Sequence, residues 1–145
     1  MEIVEHRQGN FLISTDKSRL QPEVIQDFLS RESYWAQGRP LSTVEKTIET
    51  SLCFGVYDGH KQVGFARVVT DYATFAWLCD VFVITSHRGR GLAKWLVEIV
   101  VAHPNLQGLR LFMLATSDAH DLYHKYGGFE ALEVPNKWMG KSSGP

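Results

Sequence analysis

The residues best suited to hold a charged ligand lie together in Arg88-Gly89-Arg90-Gly91-Leu92-Ala93, between an apolar run ending at Val83 and a helical pattern that follows. Gly89 and Gly91 let the backbone come close to a ligand. The first turn of the helix leaves its N–H groups unpaired, and the helix dipole favours negative charge there. Arg88 and Arg90 add two cations within reach of phosphate oxygens. From the residues alone this is an anion site suited to a diphosphate. It is not a Walker loop, because Gly-Lys-Ser/Thr is missing, and its glycines lack the G-x-G-x-x-G spacing. A second constellation, His120-Asp121-Leu122-Tyr123-His124, puts two imidazoles four residues apart on a helix, close to the zinc pattern His-Glu-x-x-His. No third ligand of suitable type and spacing follows apart from Glu130 and Glu133, so no metal is expected. The other histidines, His87 included, are scattered and are expected at the surface.

The loop resembles the Arg/Gln-x-x-Gly-x-Gly/Ala signature of the GNAT superfamily of N-acetyltransferases, with Arg88, Gly91 and Ala93 at its three defining positions. Asp80-Val81-Phe82-Val83 fits the strand that precedes the loop in that family. The stretch Ala119 to Phe129 resembles a second landmark, a helix that carries a tyrosine before a Gly-Phe turn. The resemblance spans 74–134 at motif level and the whole chain in element order. Two departures stand out: Gly127-Gly128 replaces a single glycine before the phenylalanine, and Thr116 stands where an asparagine is frequent.

The resemblance implies a GNAT-like α/β fold, with a mixed, mostly antiparallel sheet, one parallel crossover, flanking helices, and a splay at the acyl-CoA site. It implies transfer of an acetyl group from acetyl-CoA to a primary amine, by direct attack in a ternary complex; the small size of the chain, with no recruiting domain, favours a small-molecule acceptor over a protein tail. The cofactor-binding residues would be Phe82 and Val83, along whose strand edge the pantetheine lies, and Arg88, Gly89, Arg90, Gly91, Leu92 and Ala93. An alkylammonium of pKa near 10.4 is only about 0.04% neutral at pH 7, so a base or an ordered water chain is required. Asp80, a lone carboxylate in an apolar strand, is the candidate base, with Asp71 and Glu32 as weaker ones. Tyr123 matches the tyrosine that protonates the departing thiolate. Trp35, Arg39, Tyr72 and Trp77 would line the acceptor pocket, where an aromatic wall suits a cation or an aromatic ring. A reading of a different class is a catalytically silent acyl-CoA-binding regulatory module.

These residues need elements to position them. Phe11 to Thr15 reads as a first strand, and Pro22 opens a helix over 22–31. Ser42 and Glu45 have the spacing of a capping box for a second helix. Ser51–Tyr57 and Gln62–Thr70 are β-prone runs joined through Asp58-Gly59, a hairpin signal, and a short turn leads on to a strand over 75–84. Leu92, Trp95, Leu96, Ile99 and Val100 recur at helical spacing over 91–102. An apolar strand over 109–115 is expected to be central and parallel to its partner. Ser117 or Asp118 would cap a short helix ending at Gly127-Gly128, and a last strand is expected over 129–134.

The chain has 145 residues, 44% hydrophobic and 21% charged, which fits one globular domain over 1–139 with a flexible tail over 140–145 that does not belong to the fold. A formal net charge of −1 offers no field for nucleic acid or an anionic membrane, so neither partner is expected. No apolar run reaches the roughly 18 residues of a membrane span, and Met1 to His6 lacks the features of a signal peptide. Cys53 and Cys79 sit in apolar runs and read as buried, reduced thiols of a cytoplasmic protein. Homodimers are frequent in the family, although no exposed apolar stripe here demands one.

Overall fold

The computed structural model describes residues 1–143. One sheet carries six strands in chain order: β1 (Glu5–Gln8), β2 (Phe11–Ser14), β3 (Leu52–Asp58), β4 (Lys61–Thr70), β5 (Phe75–Val83) and β6 (Leu111–Met113). Tight turns make β1–β2, β3–β4 and β4–β5 antiparallel, β2 pairs antiparallel with β3 across the long segment that carries α1 and α2, and only β5 and β6 run parallel. The helices are α1 (Pro22–Arg31), α2 (Leu41–Thr50), α3 (Leu92–Val101), which makes the crossover, and α4 (His120–Gly127). This is the mixed, mostly antiparallel architecture expected from the sequence.

Each sheet face buries one helical layer. Ile25, Phe28 and Leu29 of α1 and Val44 of α2 pack with Cys53, Phe65 and Phe82. On the other face, Leu92, Leu96 and Val100 of α3 pack with Phe54, Ala66, Val68, Ala76 and Leu78, and Tyr123 and Phe129 border that cluster. Each fully buried aliphatic side chain contributes about 1.5–3 kcal/mol. Strict alternation would put Leu78 and Phe82 on one face, yet they lie on opposite faces. The reversal comes from a bulge: between the pairs Phe65–Phe82 and Arg67–Cys79, β4 advances two residues and β5 three. Asp80 is the bulge residue, with a left-handed φ of 52°. One extra residue exchanges the faces of a strand and sharpens its twist.

Several local expectations are corrected. β1 adds an edge strand of exposed polar residues, Glu5 to Gln8, paired with β2. The strand expected over 109–115 narrows to Leu111–Met113, half-buried and last in the sheet rather than central. No strand forms over 129–134. Gly128 turns the chain at the end of α4, and Phe129 folds inward edge-on against Phe112 and Tyr123, 5.3 and 6.2 Å between ring centres. Pro135 then opens a 3-10 turn. The capping box does not form either: the carbonyl of Pro40 already accepts from Thr43 and Val44, so α2 begins at Leu41 and Ser42 lies inside it. At α4 neither Ser117 nor Asp118 caps the helix: Ala119 is the N-cap, without a side-chain cap bond, and in the loop before it Thr116 Oγ1 accepts from the N–H of Asp118 (3.4 Å) and Ala119 (3.1 Å). Of the expected tail, Gly144 and Pro145 lie outside the described residues.

Cys53 and Cys79 are both free thiols. They stand opposite Arg67 from either side, so β4 separates them and no disulfide can close. Burial raises both thiols to about 11. His103, after α3, is also buried, against the expectation of a surface histidine. Its Nδ1 accepts from the N–H of Asn105, and its ring stands edge-on to Phe54. Burial lowers its pKa from the ordinary 6.5, so the unfolded chain takes up a proton at a higher pH than the folded one. Its stability contribution is therefore whole above about pH 6.5 and declines as pH falls towards the lowered value. Urea midpoints should be lower at about pH 5.5 than at about pH 7.5, and His103→Gln should shrink that difference. An equal pH dependence in the variant would assign it elsewhere.

Candidate active site

β5 and β6 lie side by side only where Phe75 to Trp77 face Leu111 to Met113. Beyond that point they part, and Leu78 to Val83 on one wall and Leu114 to Ala119 on the other line a cleft of about 1020 Å³. Two local causes open it: the bulge at Asp80 turns β5, and β6 ends after three residues. The edge of β5 over 78–83 therefore faces the cleft with no ladder to β6. An extended, amide-bearing ligand can add to such an edge as a strand would.

The glycine loop occupies one end. Gly89 and Gly91 take φ of 80° and 78°, and a Cβ at either would meet no atom within 4 Å. Glycine is thus required by the backbone conformation, and the space before the loop is open. Trp95 is the first residue of α3 whose N–H reaches its i−4 carbonyl, that of Gly91 at 3.1 Å, which leaves the N–H groups of Leu92 to Lys94 available. The root of the loop is braced. Arg88 Nε donates to the carbonyl of Val83 (3.2 Å), and its guanidinium lies 6.0 Å from the centre of Phe28, which stacks on Phe82 at 4.2 Å. His87 is buried, not at the surface, with Nε2 2.9 Å from Asp58 Oδ2 and Nδ1 2.8 Å from Ser86 Oγ. Hydrogen bonds from His87 and Asn10 hold the Asp58 carboxyl below its usual range, with Arg90 adding a weaker attraction.

At the bulge, Asp80 is 4% exposed and is surrounded by donors. Trp35 Nε1 reaches its Oδ1 at 2.9 Å. Arg39 Nη1 and Arg67 Nε both reach Oδ2, at 2.8 and 2.9 Å. Positive φ is costly for a non-glycine residue but best tolerated by aspartate and asparagine. Three charge-assisted or aromatic N–H bonds offset that strain and tie the loop over 33–39 to the sheet.

Tyr123 projects from α4 and lines the same cleft. Burial pushes its phenol up to about 12, so it stays protonated at neutral pH, and no described residue accepts its proton. Tyr34 stands nearby, its oxygen accepting from the N–H of Ser117 at 3.0 Å, which lowers its phenol pKa. That bond spans the cleft from the 33–39 loop to the loop before α4. Among the described residues no three histidine, cysteine, aspartate or glutamate side chains gather to hold a metal, and His124 Nδ1 lies 3.1 Å from the carbonyl of Phe129.

A family model described as an acetyltransferase (GNAT) domain matches residues 49–130, more than half of the chain. The chain belongs to the GNAT acetyltransferase family. A candidate acetyltransferase of Gibberella zeae is 32% identical, covering 85% of this chain and 81% of that protein. The crystal structure of a candidate GNAT acetyltransferase from Xanthomonas campestris is 51% identical, with a TM-score of 0.88, over 91% of this chain and 92% of that one. A predicted acetyltransferase of Clostridium acetobutylicum, crystallised with acetyl-CoA, shares the fold at 11% identity and a TM-score of 0.55, over 97% and 95% of the two chains.

In this GNAT domain the cleft brings together Phe82, Val83, Arg88, Gly89, Gly91, Leu92, Ala93, Asp80, Tyr123, Trp35, Arg39 and Trp77 from the residues singled out in the sequence. Arg90 is not among the lining residues, and neither are Tyr72 and Asp71. Tyr72 is exposed at the β4–β5 turn, where Asp71 accepts from Thr74, Ala73 and Phe75, bonds that depress its carboxyl strongly. Glu32 does line the cleft, 3.4 Å from Thr85 Oγ1. Sequence reasoning missed Arg67. Its signal was present: a lone cation in the apolar run 62–70, facing a strand that holds a lone carboxylate.

Proposed function

We propose that this protein transfers the acetyl group of acetyl-CoA to a primary amine, by direct attack within a ternary complex. The observation that carries the reading is one cleft in which an open strand edge, a loop with unpaired N–H groups and a protonated tyrosine meet beside a second, polar end. The loop and the start of α3 suit a diphosphate, and the edge of β5 suits the amides of pantetheine. The family uses acetyl-CoA as donor, and the Clostridium neighbour holds it in the same fold.

In this reading the amine nitrogen forms a bond to the thioester carbon, the C–S bond breaks, and Tyr123 gives its proton to the departing sulfur. The amine must first lose a proton. Asp80 is poorly placed to take it, because both its oxygens already accept hydrogen bonds and a proton would displace a guanidinium. We therefore favour ordered water as the base, with Asp80 as a positioning residue for Arg39, Arg67 and Trp35. Tyr123→Phe is expected to lower kcat by about 100-fold or more with coenzyme A affinity retained. The check is thiol release from acetyl-CoA together with calorimetric binding. Wild-type turnover in this variant would remove Tyr123 from the chemistry. A wild-type protein that binds acetyl-CoA but acetylates no amine would point to the regulatory module.

A further inference from the structure

The acceptor end of the cleft is charged in a way that narrows the acceptor, given the transferase reading above. Arg39 and Arg67 share Oδ2 of Asp80, which sets the two guanidiniums side by side. Arg67 Nη1 also donates to Ser51 Oγ at 3.1 Å. Nε and Nη2 of Arg39 and Nη2 of Arg67 then have no acceptor among the described residues. Both residues line the cleft with side chains 23% and 13% exposed, so they are held in place and largely screened from water.

Two guanidiniums against one carboxylate leave one positive charge at this end. Of the other acidic residues lining the cleft, Glu32 is turned to Thr85 near the loop and Asp118 is exposed before α4. A purely cationic amine would meet net repulsion here, while a monoanion would neutralise the excess. Planar guanidinium forks match a carboxylate, and buried donors left unpaired penalise a ligand that lacks an acceptor. A phosphate dianion would bring a surplus negative charge against Asp80. We infer that the acceptor is an amino-acid-like amine, whose carboxylate docks on the free N–H groups of Arg39 and Arg67 while its amine faces the thioester. This departs from the cation or aromatic ring that the aromatic wall alone suggested.

The test is a matched panel assayed by thiol release from acetyl-CoA: amino acids, their carboxamides, their decarboxylated amines, and amino-sugar phosphates. Free carboxylates should be preferred over the matched carboxamides by about tenfold or more in kcat/KM. Arg39→Gln should raise KM for the preferred acceptor by a similar factor with a smaller change in kcat, and Arg39→Lys should recover part of the loss. Calorimetry with coenzyme A separates the two levels. A protein that binds no acetyl-CoA fails the donor reading. A protein that binds it, yet prefers carboxamides, simple amines or phosphorylated amines, overturns the carboxylate inference. So does one that, loaded with coenzyme A, neither binds nor acetylates any carboxylate-bearing amine.

Discussion

Gly91→Glu is expected to weaken coenzyme A binding by more than about 100-fold, and Gly91→Ala by far less. Both variants carry the strain of an L residue at a φ of 78°, about 1–2 kcal/mol, so alanine measures the backbone term alone. The Cβ itself meets no protein atom within 4 Å and points into open space. Glutamate adds an anion where the diphosphate is proposed to lie. At about 4 Å and an effective dielectric near 20, two like charges repel by about 4 kcal/mol, hence a loss far beyond the strain. A carboxylate at the start of α3 is itself favourable to the helix by about 0.3–1 kcal/mol, which helps the empty variant fold. Calorimetric titration and thermal melting are the measurements. Folded Gly91→Glu protein with wild-type coenzyme A affinity would show that the loop does not hold the diphosphate.

The second large effect is on stability. Asp80→Ala should cost about 3 kcal/mol or more, because it strands Arg39 and Arg67 with no countercharge and removes the acceptor of Trp35. It also puts a residue less tolerant of left-handed backbone at a φ of 52°. Asp80→Asn should cost less, because asparagine tolerates that conformation and keeps one carbonyl acceptor, although its amide nitrogen meets donors. Urea denaturation checks both. If each variant unfolds at the wild-type midpoint and has lost only turnover, Asp80 acts as a base and not as an anchor.

The amphipathic pattern of α3 and the Asp58-Gly59 hairpin were legible because each is a local signal, a period or a turn chemistry within a few residues. β1 was not, since Glu5 to Gln8 is polar throughout and pairs only because β2 offers an edge. The strand expected over 129–134 had the right residues. Burial of Phe129 against Phe112 and Tyr123 takes the chain away from β6 instead. Arg67 and Asp80 each stood out as a lone charge in an apolar strand, yet nothing local says that they meet.

By itself the sequence determined the loop proposed to hold the donor, because Gly89, Gly91 and the start of α3 act through backbone conformation and adjacent N–H groups. It also determined the antiparallel order of β3 to β5, through short connections. The tertiary structure decided the end of the cleft proposed to hold the acceptor. A single inserted residue at Asp80 reverses the faces of β5, helps to part it from β6, and aims one carboxylate at two arginines from distant segments. That juxtaposition joins residues 39, 67 and 80, whose proximity depends on strand register and the loop before α2, and register is a property of the assembled sheet.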